Sequence, residues 1–304
     1  MTTLAGTRRT TPRATHGAAV TTQSTRRRIG GHIVTVTAWI VGLIFVLPVI
    51  LMVFVSFHSD SAGHATLNPI DLTTPLTVEG YAKFFGSQSG QSPIPYLLNS
   101  VAASVISTLL VLLLAIPASY ALAVRRIRRW TDVMFFFLST KFLPLAAGLV
   151  PLYIIALQVH ALDHVWFLII LYTAMNLPIA VWMMRSFMAD IPVALFEAAS
   201  LDGAGLTKTL VRVATPIAMP GIAATALICF IFSWNELLYA TLLTSTNNAQ
   251  TLPVLLVGLQ GSTGGGTFVG AISAAATLVS VPVLIAGFAA QDKLVQGLSM
   301  GAVK

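Results

Sequence analysis

From residue 33 to residue 57 the chain runs for twenty-five residues without a charged side chain. Five more apolar runs follow, at 94–124, 130–157, 165–187, 222–244 and 268–290. Each reaches the roughly 20 residues that a helix needs to cross a bilayer core of about 30 Å. Polar groups are few inside them, notably Lys141, Asn176 and the pair Asn235-Glu236. Only 9% of the 304 residues are charged and 56% are hydrophobic, against about 25% charged in a soluble domain. Water cannot wet such a surface, so the expected fold is all-α, a polytopic membrane protein with six transmembrane helices.

Residues 1–32 are polar, low in complexity and end near Arg26-Arg27-Arg28, so a disordered basic tail is expected there. An apolar stretch behind a basic one also describes a signal peptide, but that core usually has only about 7–15 residues. The first run therefore reads as an uncleaved span. With the amino terminus inside, the inner segments are 1–32, 125–129, 188–221 and 291–304. They carry Arg125, Arg126, Arg128, Arg129, Lys208, Arg212, Lys293 and Lys304 besides the tail, with Arg185 at a boundary. The outer segments, 58–93, 158–164 and 245–267, hold only Lys83. This asymmetry places both termini in the cytoplasm of a multi-pass plasma-membrane protein. The six-helix domain spans 33–290, and 291–304 is a cytoplasmic tail.

The net charge of +7 lies in short patches between apolar runs, not on one face, so no nucleic-acid partner is expected. The single cysteine, Cys229, lies inside an apolar run. The chain therefore forms no internal disulfide. The histidines show no ligand spacing, and neither a metal nor a catalytic site is expected.

One inner segment, 188–221, is polar and broken by glycine. Asp190 ahead of Ile191-Pro192 reads as a helix cap with proline in the first turn. A short helix through Glu197-Ala198-Ala199 follows, then a tight turn at Asp202-Gly203. A second amphipathic stretch, 206–213, carries Lys208 and Arg212, and Pro216 and Pro220 precede the next span. Two short helices joined by a turn are thus presented to the cytosol. Leu195 and Phe196 are costly to leave in water, so this segment reads either as a partner surface or as a loop packed on its own bundle.

Glu197-Ala198-Ala199, Gly203, Val213 and Pro216 fall at the spacing of the EAA loop of ABC importer permeases. Val213 and Thr215 replace the isoleucine and leucine of that pattern. Trp234-Asn235-Glu236 and the ending GLSMGAVK resemble the carbohydrate-uptake branch, the group of maltose-type second permease subunits. Two further stretches, STKFLPLAAGLVPLY and YTAMNLPIAVWMMRSF, are similar to permeases for sugar alcohols such as mannitol and sorbitol. The resemblance covers roughly residues 33–304.

It implies a type I ABC importer permease fold in a bacterial inner membrane. The chain would form half of a translocation pathway for a carbohydrate or sugar alcohol. The implied partners are a second permease subunit, a cytoplasmic ATPase dimer, an extracytoplasmic solute-binding protein and membrane lipid. ATP and Mg would sit on the ATPase, with no cofactor on this chain. Glu197, Ala198, Ala199, Asp202, Gly203 and Pro216 become the expected ATPase-docking residues. Gly203-Ala204-Gly205-Leu206-Thr207-Lys208-Thr209 is no phosphate loop, since it lacks the glycine directly before the lysine.

Lys141 lies eleven residues past Trp130, roughly 16 Å along a helix. Glu236 lies fourteen residues into its span, roughly 21 Å from the inner end. Charges at that depth pair with one another or line a hydrated path. With Asn176 and Asn235 they are the substrate-pathway candidates, although interhelical hydrogen bonding is the commoner use of such amides. Ala271, Ser273, Ala274, Ala275 and Ala276 permit close helix packing. An ion-coupled secondary transporter would need internal repeats or buried carboxylates at helix breaks, and a membrane enzyme a nucleophile or paired carboxylates in its spans. One intramembrane Glu and no evident repeat argue against both.

Overall fold

The computed structural model describes residues 20–58, 75–86, 92–125, 127–141, 145–262 and 269–301. Side chains are described over 34–58, 75–86, 92–125, 127–141, 148–259 and 269–292. The described residues form helices and turns, with one isolated β-bridge between His58 and Leu76.

The chain divides into two units, Met1–Leu51 and Met52–Lys304. The first contains most of α1 (Val20–Ser56), whose side chains from Val34 to Ile50 are exposed, as a lipid-facing helix requires. This helix starts at Val20, inside the stretch 1–32 expected to be a tail. Residues 1–19 of that expected tail lie outside the described residues. Once an apolar segment is helical, each further residue adds one hydrogen bond, so the helix extends cheaply into its Thr- and Arg-rich flank.

The second unit continues with α2 (Glu79–Phe85), α3 (Ile94–Val124), α4 (Trp130–Ser139), α5 (Leu145–Gln158) and α6 (Val165–Ala189). Next come α7 (Val193–Leu201), α8 (Leu206–Thr209), a π-helical turn at Leu210–Ala214 and α9 (Thr215–Ile217). The remainder is α10 (Met219–Trp234), α11 (Leu238–Leu243), α12 (Leu252–Ser262) and α13 (Val269–Gly301). The last runs past residue 290, into the stretch expected to be a tail. Helices α3 and α6 make the most extensive pair, and α10 lies against α3, α6 and α13.

Among the described residues, four helices are long and apolar enough to cross a membrane: α1, α3, α6 and α13. The shorter helices 206–217 and α10, which meet at a 79° bend, make a fifth if the pair is one span. The expected sixth, 130–157, is two helices, α4 and α5. Local chemistry explains the break. The Ser139 and Thr140 hydroxyls donate to the carbonyls of Phe136 and Phe137 at 2.8 and 2.7 Å.

The expected span 222–244 is also interrupted. The Asn235 N–H and side-chain Nδ2 both donate to the Ile231 carbonyl, at 3.1 and 2.9 Å, and close α10. The Glu236 carboxylate accepts the Tyr239 and Ala240 N–H groups at 3.0 and 3.3 Å and opens α11. Trp234 Nε1 donates to the Val279 carbonyl at 3.0 Å and ties this break to α13. The Trp-Asn-Glu triplet therefore ends one helix, anchors the joint and starts the next.

At its start, next to the 188–221 segment, α10 approaches α6 too closely for a side chain. A Cβ on Gly221 would lie 2.2 Å from Phe187 Cγ and 2.8 Å from its Cβ. Phe187 cannot clear that space by moving only its ring tip. Gly221→Ala is therefore expected to destabilise the protein by about 1–3 kcal/mol, read as a lower unfolding temperature of the purified protein.

Candidate functional site

The segment 188–221 folds as two short helical pieces around one turn. Asp190 does not open the first of them, as the sequence reading expected. It stands at the carboxyl end of α6. Pro192, with ψ 129°, is the residue that flanks α7, because its ring sets an extended entry before the first helical turn.

The end of α7 is built on Gly203, which has φ +69°. Its N–H donates to the Ser200 carbonyl at 3.1 Å, and the Ala204 N–H to the Ala199 carbonyl at 2.9 Å. These are the two crossed bonds of a Schellman stop, which needs a left-handed residue at the position Gly203 holds. The chain then re-enters helix at Leu206 and passes through the π turn, where the Thr215 hydroxyl donates to the Leu210 carbonyl at 2.8 Å. Pro216 sits in the first turn of α9 and Pro220 in the first turn of α10, positions that need no N–H.

Burial sorts the six expected docking residues. Glu197, Ala198, Asp202, Gly203 and Pro216 are exposed. Ala199 is buried, and its carbonyl belongs to the helix stop. Phe196 is likewise not a partner-facing group. It is buried against Tyr120 of α3, with ring centroids 5.8 Å apart, and joins the core with Met184 and Met188. The side chains left open are Val193, Leu195, Leu206 and Val211, with Leu201 89% exposed at the tip. They stand among Glu197, Asp202, Lys208 and Arg212. The segment thus packs one face on its own bundle and presents an apolar face with a charged rim.

The four substrate-pathway candidates make no hydrogen bond or ion pair with one another among the described residues. Asn176 is fully buried and its Nδ2 donates to Ser233 Oγ at 2.9 Å, which in turn lies 3.1 Å from Ser107 Oγ. That chain joins α6, α10 and α3, and the Asn176 Oδ1 has no partner among the described residues. Glu236 is 8% exposed and both its oxygens serve the start of α11. Lys141 and Asn235 are exposed. The Lys141–Glu236 ion pair weighed from the sequence is absent among the described residues: backbone N–H groups at the helix break take the carboxylate instead.

Sequence reading missed the polar seam of Ser104, Ser107, Thr225 and Ser233 that lines the α3, α6 and α10 contacts. A serine every three or four residues along α3 is the signal that could have revealed it. It also missed the link that Asp163 makes between the turn before α6 and the turn after α11. The Asp163 carboxylate accepts the N–H groups of Ser245 and Thr246 at 2.9 and 3.0 Å, and the Thr246 hydroxyl as well. Asn99 adds bonds to the carbonyls of Asn247 and Gln250, both at 3.0 Å. Burial pushes the Asp163 carboxyl up, but the hydrogen bonds from Thr246 and Ser245 and the neighbouring His164 outweigh it, leaving it below the usual carboxylate range.

A depressed folded value means stability that is present above the ordinary carboxylate pKa and lost as pH falls through the folded one. Asp163→Ala is therefore expected to lower stability by about 1 kcal/mol near neutrality. Its difference from the unaltered chain should shrink as the solution is acidified below about pH 4. Unfolding temperatures of both proteins across that pH range check this.

Residues 112–300 match the family of binding-protein-dependent transport system inner membrane components. A probable ABC transporter permease protein, y4oR of Sinorhizobium fredii, is 34% identical over 87% of this chain and 92% of its own length. The trehalose transport system permease protein SugB of Mycobacterium tuberculosis is 32% identical, over 77% of this chain and 84% of its own. A crystal structure of a bacterial ABC transporter involved in the import of alginate contains a chain of the same fold. Its TM-score is 0.68 at 22% identity, and the match covers 93% of this chain and all of that one.

Proposed function

Because the chain belongs to the binding-protein-dependent transport system inner membrane components, the permease subunits of ABC importers, we propose that it imports a carbohydrate or sugar alcohol and is driven through its 188–221 segment. The sugar assignment rests on relatives such as the trehalose permease. In this reading the chain pairs with a second permease, receives solute from a separate binding protein outside, and carries no nucleotide site or cofactor. A cytoplasmic ATPase dimer holds ATP and Mg and grips the exposed face of α7 and α8. Both termini and the 188–221 segment lie on the cytoplasmic side.

The observation that carries this reading is the exposed apolar tip at Leu201, raised on a Schellman turn beside Glu197 and Asp202. The buried face, Phe196 and Ala199, joins α7 to α3 and α6, so a pull on the tip reaches the spans. Of the pathway candidates, Lys141 and Asn235 are the side chains a passing solute can meet. Asn176 and Glu236 act behind them, by holding α6 to α10 and by fixing the break before α11.

Glu197→Lys tests the docking half directly. The side chain is exposed and makes no bond that folding needs, so the variant should insert normally. Copurified ATPase per permease and uptake of the transported sugar should both fall, by roughly tenfold if one charge-assisted contact is lost. Normal values of both would remove Glu197 from the interface. Uptake lost with ATPase retained would assign it to coupling after docking.

A further inference from the structure

The basic residues at the α3–α4 junction are more ordered than a positively charged loop requires. Arg125 closes α3, and a tight turn at Ile127–Trp130 leads into α4, with the Trp130 N–H donating to the Ile127 carbonyl at 3.2 Å. Arg125, Arg128 and Arg129 are exposed around this turn. From the adjacent helix α6, Arg185 lays its guanidinium over the Trp130 ring at 3.5 Å. The turn is held in place by Met134 of α4, which is buried with Met184 and Met188 of α6.

None of these four arginines has an ion-pair partner among the described residues. The Arg185 Nε is buried with no acceptor, although Arg185 belongs to a helix apolar enough to span the membrane. The acids on the same elements, Asp132 in the first turn of α4 and Asp190 past the end of α6, are outnumbered by the arginines. A guanidinium stacked on an aromatic face keeps its in-plane N–H donors free, and their fork matches the oxygens of a phosphate. The amphipathic Trp130 fits the interface where the helix ends emerge.

We infer that the α3–α4 junction with Arg185 is a binding site for the headgroup phosphate of an anionic phospholipid. A lipid phosphate reaches this position from the bilayer, at the depth where Trp130 and the ends of α3 and α6 lie, and supplies the missing anion. The site needs only a membrane boundary, so its failure would leave ATPase docking untouched.

The test uses the permease complex in nanodiscs of phosphatidylcholine with or without phosphatidylglycerol, with retained lipid counted by native mass spectrometry. The unaltered complex should retain phosphatidylglycerol in preference to phosphatidylcholine. The retention should weaken about fivefold for each arginine removed in R128Q/R129Q and in R185Q. R185K, which keeps the charge and loses the fork, should fall between. If R185Q does not fold, the exposed pair R128Q/R129Q alone decides. Equal retention by the variants and the unaltered complex, or equal retention of both lipids, would overturn the proposal. Displacement by inorganic phosphate at equal concentration would also overturn it, by pointing to a soluble anion.

Discussion

Gly203→Val should leave the chain in the membrane and cut import by about tenfold or more. The backbone at 203 has φ +69°, where an L-residue pays roughly 1–2 kcal/mol and a β-branched one more. No atom lies within 4 Å of an added Cβ, so the effect is conformational and not a clash. The strain is relieved by leaving the left-handed region, which breaks the bonds from Gly203 and Ala204 to Ser200 and Ala199. Without that stop, α7 and α8 lose their relative orientation while the spans keep their packing. Membrane insertion should therefore be normal, with uptake and copurified ATPase both reduced by tenfold or more. Gly203→Ala should show an intermediate loss. A valine variant with normal uptake would mean that the turn geometry is dispensable.

Glu236→Leu has the larger effect on the fold itself. Two backbone N–H groups, those of Tyr239 and Ala240, depend on this carboxylate in a buried position. A buried donor left unpaired costs about 1–3 kcal/mol, and no water is at hand within a bundle to replace the acceptor. Leucine also favours continuing α10 through 235–237, which would straighten the break that Asn235 and Glu236 create. We expect a severe fall in the amount of folded permease, whereas Glu236→Gln, which keeps one acceptor oxygen, should fold and show a smaller loss. Equal stability of the leucine variant and the unaltered chain, measured by unfolding in detergent, would contradict the capping role.

Those two residues also mark how far the sequence can be read. The membrane class followed from the uncharged runs, because length and apolar character act alone to place a helix in lipid. Gly203 was legible for a similar reason: Asp-Gly after a short helical stretch carries its own backbone geometry. The end of α4 at Ser139 and the break at 235–237 were not, because hydropathy counts Ser139, Thr140 and Asn235 as minor interruptions. Their hydroxyl and amide bonds to the preceding turn end the helices regardless. The same limit applies to Phe196. From the sequence it reads as a docking group or as one packed on its own bundle, and Tyr120, seventy-six residues earlier in the chain, decides for packing; no local pattern announces such a contact. Depth alone brought Lys141 and Glu236 together as a possible pair, while the actual partners of Glu236 were backbone groups three and four residues away.

In the proposed function the tip of α7 contacts the ATPase from the cytoplasmic side. The native chain has a single cysteine, Cys229, which is buried, so a thiol introduced by Leu201→Cys at the 89% exposed tip reports alone. A short thiol-directed cross-linker added to inside-out membrane vesicles should join that position to the ATPase subunit, and the yield should change when ATP is bound. Labelling of the same thiol from outside intact cells, or a complex that keeps its ATPase but gives no cross-link from position 201, would contradict it.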